Sequence, residues 1–253
     1  MELESLEKRM NLYNHKIRNK KLVGTIVIAV ILGMFVLRGL LLGNGTIEKM
    51  YTLEPDELRA ALSKYEVTIQ VLQEDGRTAL TGGGTILDGR KASSKDENFT
   101  LTIAVASKVV GDSDSVTVVL PDGSSVKGIV VRPETDAAES MAEDVVFVQC
   151  GCPDELDVYY SRDRLDRLAA GDEAYALQNA ELISGEITDA SAQASESGDS
   201  MILTDVGYED GMSGSGLYGK AGNYLGMILQ GTDDGLTACV SGREVVTLLN
   251  QIL

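Results

Sequence analysis

The chain contains no tryptophan, three phenylalanines, four prolines and a single histidine, His15, in 253 residues. Aromatic residues make up 5% of it and give no hint of an aromatic ligand groove. Basic residues are also scarce: 22 Lys and Arg stand against 39 Asp and Glu, a net charge of −17. Binding nucleic acid requires a basic face, so this balance argues against that class of partner. The three cysteines, Cys150, Cys152 and Cys239, are odd in number, which precludes a fully paired disulfide framework. Cys150-Gly151-Cys152 has no second pair with which to make a zinc site, and neither metal nor cofactor is expected. The thiols read as small strand or core residues, with a disulfide from Cys239 to one of the others left open.

What charge there is lies unevenly. Before Gly39 there are seven Lys and Arg and three acids, leaving 15 basic and 36 acidic residues, a net of −21, for the remainder. So acidic a body is repelled by anionic lipid and attracts cationic partners. Leu22 to Leu42 form an apolar run broken only by Arg38. As a helix, its 21 residues reach roughly 31 Å, about the thickness of a bilayer's hydrocarbon core. Arg38 lies one turn from the end, where its side chain can snorkel. The run exceeds a signal-peptide core and no small-residue cleavage site follows, so a single uncleaved anchor is expected. Basic residues cluster on its N-terminal side, which places residues 1–21 in the cytoplasm and the acidic bulk outside the cell membrane.

Residues 43–65 read as a juxtamembrane linker with a short helix, opened by Pro55 and carrying Leu58, Ala61 and Leu62 on one side. From Glu66 the period changes to two: Val67, Ile69 and Val71 alternate with polar residues. About a dozen short strands follow. Gly82-Gly83-Gly84 inside one of them points to a bulge or a close backbone approach. Pro121-Asp122-Gly123 reads as a hairpin turn, Arg90 to Asn98 and Arg132 to Glu143 as loops, Ser161 to Ala170 as a helical turn, and Thr188 to Ser200 as another loop. Ser241-Gly242-Arg243-Glu244 has capping-box spacing ahead of a terminal helix with Val245, Leu248, Leu249 and Ile252 on one face. The pattern over residues 66–253 is all-β, a barrel or sandwich, with no evident internal repeat.

One stretch carries chemistry. Gly211-Met212-Ser213-Gly214-Ser215-Gly216-Leu217 places a serine among small residues. Such a turn is often no more than a hairpin loop. It can also aim successive N–H groups at one point, which suits a developing oxyanion.

The order of segments around it resembles the chymotrypsin-fold (trypsin-like) serine proteases, and their HtrA-like branch in particular. Gly82 to Leu87 is similar to that family's glycine-rich strand, Asp144-Val145-Val146-Phe147-Val148 to its Asp-Leu-Ala-Val strand, and Gly171 to Asn179 to its Gly-Asp-x-Val-x-Ala-Ile-Gly-Asn segment. Ile183 to Ile187 resembles Val-Ser-Gly-x-Ile. Thr204-Asp205 precedes Ser213 at the family's spacing. The resemblance implies two six-stranded antiparallel β-barrels with a C-terminal helix, following a single transmembrane helix. It puts Ser213 at the nucleophile, the N–H groups of Gly211 and Ser213 in the oxyanion hole, and Asp144 at the acid that orients the base, with Asp136 a weaker alternative. Gly207 and Ser215 fall at substrate-binding positions. The uncharged Gly207 implies a pocket for small or apolar groups. Assembly into homo-oligomers rests on the resemblance alone.

The departure from the family is at the base. Where it has histidine, this chain reads Ala106-Ser107-Lys108-Val109-Val110, with Lys108 in the position. His15 precedes the apolar run and belongs to the cytoplasmic tail. A serine hydroxyl needs a nearby base. Imidazole, with a pKa of about 6.5, suits that work, whereas a solvated lysine, at about 10.4, is a cation. Loss of triad function costs on the order of 10⁶ in rate. Two functions follow as expectations. One is a pseudoprotease whose cleft or acidic surface binds a peptide or protein partner. The other is a serine endopeptidase in which a desolvated Lys108 serves Ser213 as base, a Ser–Lys arrangement known on other folds.

Overall fold

Alternation of apolar and polar side chains from Glu66 onward builds a strand with Val67 and Ile69 facing inward, and the pattern recurs along the chain. A computed structural model describes residues 52–72, 78–91, 99–134, 144–152, 168–193 and 200–253. The expected cytoplasmic tail, the Leu22 to Leu42 span, Asp136 and most of the Ser161 to Ala170 segment lie outside the described residues. Among the described residues, no helix is long and apolar enough to cross a membrane.

Six strands form the first closed barrel: β1 (Glu66–Leu72), β2 (Thr78–Lys91), β3 (Phe99–Ala106), β4 (Ser115–Val119), β5 (Ser125–Val131) and β6 (Val145–Cys152). Their order around it is β1-β2-β3-β6-β5-β4, closed by antiparallel pairing of β1 with β4. Six more form the second: β7 (Glu173–Gln178), β8 (Glu181–Gln193), β9 (Ser200–Thr204), β10 (Gly216–Gly219), β11 (Tyr224–Gly231) and β12 (Thr237–Ser241). Here the order is β7-β8-β9-β12-β11-β10, closed through β7 and β10. The two orders are the same permutation, so one topology occurs twice without a legible sequence repeat. Closure leaves neither barrel a free sheet edge.

Among the described residues, three helices accompany the barrels. α1 (Pro55–Leu62) has proline in its first turn, a capping box between Glu54 and Glu57, and Leu58 and Leu62 buried. α2 (Ser107–Val110) is a single turn after β3. α3 (Gly242–Ile252) is capped by the Ser241 hydroxyl, which accepts from Glu244 N at 3.3 Å, and buries Val245, Leu248 and Leu249.

Three expectations need correction. The loop expected over Thr188 to Ser200 is strand as far as Gln193, because β9 extends the ladder alongside it. Arg90 and Lys91, expected in a loop, belong to β2, since they pair with Thr100 and Phe99. The disulfide left open for Cys239 is not formed: none of the three buried cysteines is disulfide-bonded. Cys150 and Cys152 sit in the core of the first barrel, whereas Cys239 sits among the residues filling the second.

Glycine makes room within the first barrel. A Cβ on Gly128 of β5 would overlap Val148 Cγ1 and stand 2.9 Å from Val118 Cγ2. Gly128→Ala should therefore lower unfolding stability by about 1–3 kcal/mol through overpacking. Chemical denaturation of the full-length protein checks this, and an unchanged midpoint would contradict it.

Candidate functional site

At the seam between the barrels the Ser213 turn meets the strand end that leads into Lys108. β3 and β6 are in register with Ala106 opposite Val145. The ladder therefore brings α2, with Lys108, and Asp144, the residue before β6, to the same end of the first barrel. Both side chains are exposed. The Ser213 turn arrives from the second barrel, between β9 and β10. Gly83 N donates to Ser213 O at 2.9 Å, and Gly214 N to Ile228 O at 2.8 Å. Gly214 has φ +91°, and a Cβ there would overlap the Gly83 carbonyl and stand 3.1 Å from Ala106 N. Glycine is required at this position both by backbone angle and by space. The glycines of β2 are thus a site of close approach, while the bulge in that strand lies further on, between Ile86 and Asp88.

The turn leaves two backbone N–H groups without a backbone acceptor among the described residues. They are those of Gly211, which has φ +95°, and of Ser213. Upstream, the Thr204 hydroxyl donates to Glu186 O at 2.8 Å, Asp205 Oδ1 accepts from Glu186 N at 2.5 Å, and the Thr237 hydroxyl donates to Val206 O at 2.6 Å. These bonds fix the path of the chain into the serine turn.

The serine itself is 5% exposed. Its hydroxyl donates to Leu229 O at 2.7 Å and lies 3.0 Å from the hydroxyl of Tyr208. Ser213 has one proton and gives it to the carbonyl, so Tyr208 is the donor to Oγ. Both the proton and a lone pair of the would-be nucleophile are engaged. The partly buried Tyr208 ring packs on the second core and lies against β11, where a Cβ on Gly231 would stand 3.0 Å from its Cδ1. The Lys108 ammonium is 6.0 Å from the centroid of the same ring, a cation–π distance. Lys108 therefore approaches the serine's neighbour and is not among the hydrogen-bond partners of its hydroxyl. Gly207 is exposed and borders open space. Among the described residues there is no cluster of side chains suited to a metal ion.

A cleft of about 380 Å³ opens on the other side of the turn. Glu66, Thr81, Gly83, Gly211 and Ser215 are among its lining residues, whereas no Lys, Arg or His of the described residues is. Glu66 Oε1 accepts from Thr85 Oγ1 at 2.9 Å, Gly216 N at 3.0 Å and the Tyr218 hydroxyl at 2.5 Å. Burial pushes its carboxyl up to about 7, against the pull of these donors toward the ionised form. Burial likewise raises Tyr218 well above the usual phenol value, with the Glu66 charge adding to it. Ser215 is buried, its hydroxyl so close to Gly83 that a Cβ there would overlap it.

Tyr208 and Glu66 are not singled out by sequence reasoning. For Tyr208 the available signal is one aromatic side chain, beside Gly207 and shortly before Ser213, in a chain with few aromatics. Glu66 reads as the outward polar member of an alternating strand. Its outward face is covered because a second barrel lies there. No protein-family model matches the chain, and no curated protein sequence does.

The Glu66 environment predicts a pH signature. Its folded pKa of about 7 exceeds the ordinary 4.5, so its contribution to stability is fully present below about 4.5 and is lost as pH rises through 7. Relative to Glu66→Gln, the native protein should lose on the order of 1–3 kcal/mol of stability between these limits. Denaturant titrations of both proteins across pH 4–8 check this. A constant difference would show that the carboxyl titrates alike in the folded and unfolded chains.

Proposed function

We propose that this chain is a membrane-anchored, extracytoplasmic pseudoprotease of the trypsin-like, HtrA-like kind, binding a peptide or protein partner through its cleft or acidic surface. The observation that carries this reading is the state of Ser213: its hydroxyl is bonded to the Leu229 carbonyl and the Tyr208 hydroxyl. The chain's only histidine is His15, ahead of the apolar run. General-base activation requires a group within hydrogen-bond reach that can take the proton. A peptide carbonyl cannot do so, and a tyrosine hydroxyl that is itself a donor does not. The two barrels and the 380 Å³ cleft supply a scaffold on which binding outlasts chemistry.

A second reading, a serine endopeptidase using Lys108, draws on two observations. The ladder brings the Lys108 turn and Asp144 to one barrel end, and the N–H groups of Gly211 and Ser213 are without acceptors among the described residues.

Treatment of the full-length protein with a fluorophosphonate separates the two. No covalent labelling of Ser213 is expected. Labelling that disappears in Lys108→Ala would establish the peptidase. In cells whose phenotype depends on the chain, Ser213→Ala should restore function as fully as the native sequence. A folded Ser213→Ala protein that fails to do so would overturn the pseudoprotease.

A further inference from the structure

A carboxyl group held between two closed barrels has its charge state set by both at once. Glu66 occupies such a place. From its own barrel it receives the Thr85 hydroxyl on β2, and from the other the Gly216 N–H and the Tyr218 hydroxyl of β10, together with the Ser215 hydroxyl just before that strand. The titratable groups around it are few. Tyr218 touches it, and behind Tyr218 stands Tyr224 of β11, edge-on with ring centroids 5.8 Å apart. Asp210 lines the same cleft from the loop before Ser213, and no basic side chain of the described residues lines it. Nothing in that cleft wall therefore offers a positive charge to hold Glu66 ionised.

We infer that Glu66 is a proton-operated clasp between the two barrels, closed while its carboxyl is neutral and loosened when it ionises. In the neutral form Oε1 accepts the donors of β2 and β10. The ionised form strengthens each hydrogen bond yet leaves a full charge on a partly buried carboxylate, where desolvation outweighs the donors. Water relieves that cost, and the cleft that Glu66 lines is its route in. Hydration draws the carboxylate toward the cleft and away from β10. Ser215 lies two residues after Ser213, so loosening is transmitted to the serine turn and to the floor of the cleft. With its midpoint near neutrality, the clasp couples the shape of the cleft to modest changes in pH. By linkage, a ligand bringing a positive charge beside Glu66 releases a proton on binding.

Hydrogen exchange of the full-length protein tests this, with rates corrected for the intrinsic effect of pH. Protection over Ser213–Tyr218 should fall across pH 6–8 in the native protein and stay level in Glu66→Gln. Tyr218→Phe removes a donor that favours the carboxylate, so its transition should move to higher pH. Carbon-13 NMR of the Glu66 carboxyl in the native protein should titrate with the same midpoint as the loss of protection. Level protection in the native protein would overturn the clasp. So would an equal transition in Glu66→Gln, an unmoved one in Tyr218→Phe, or a carboxyl titrating near its ordinary value. These outcomes do not depend on whether Ser213 is catalytic, which the fluorophosphonate experiment reads separately.

Discussion

Two closed barrels have no unpaired edges to offer each other, so they join through side chains and a few backbone contacts at places where the chain is stripped to glycine. The contact on which the rest depends is that of Gly83 with Ser213 and Gly214. Gly83 N donates to Ser213 O, and Gly214 approaches the Gly83 carbonyl more closely than any side chain would allow. This approach sets the position of the serine turn. From it follow the burial of Ser215 against β2 and the placing of Glu66 opposite β10.

The seam handles its protons in an unusual way. On one side the Ser213 proton is given to a carbonyl and the oxygen is covered by a tyrosine, so the hydroxyl serves as a structural link between β11 and the loop carrying Tyr208. On the other side burial raises the pKa of a carboxyl group to about 7, although several donors favour its ionised form. A hydroxyl and a carboxyl of the kind used in acid–base chemistry are thus both present, but they face apart across the turn and have no bond in common. Lys108 lies over the tyrosine ring.

Much of this is legible in the residues. The period of two from Glu66, the turn residues between strands, the Ser241 cap and the spacing of Val245, Leu248 and Leu249 are local signals, and each element forms where they indicate. The glycines of β2 are legible as a point of close approach because glycine inside a strand has few other uses. The far end of β8 reads as loop because its small polar residues carry no apolar alternation; its ladder with β9 holds it in extended form. The repeated strand order is invisible, since topology depends on which strands pair and not on which residues compose them.

The sequence alone determined the inventory: a serine among glycines, an acidic surface, and one histidine placed ahead of an apolar run. Those are facts of composition and order, and no folding alters them. Only the tertiary structure decided what each group faces. It turned Tyr208 onto Ser213, because the loop between them is folded back against β11. It covered Glu66 with a second barrel, because β10 reaches that carboxyl only once the seam has formed. A side chain's chemistry is set by its neighbours, and in a fold of long-range strand pairs those neighbours are chosen by packing.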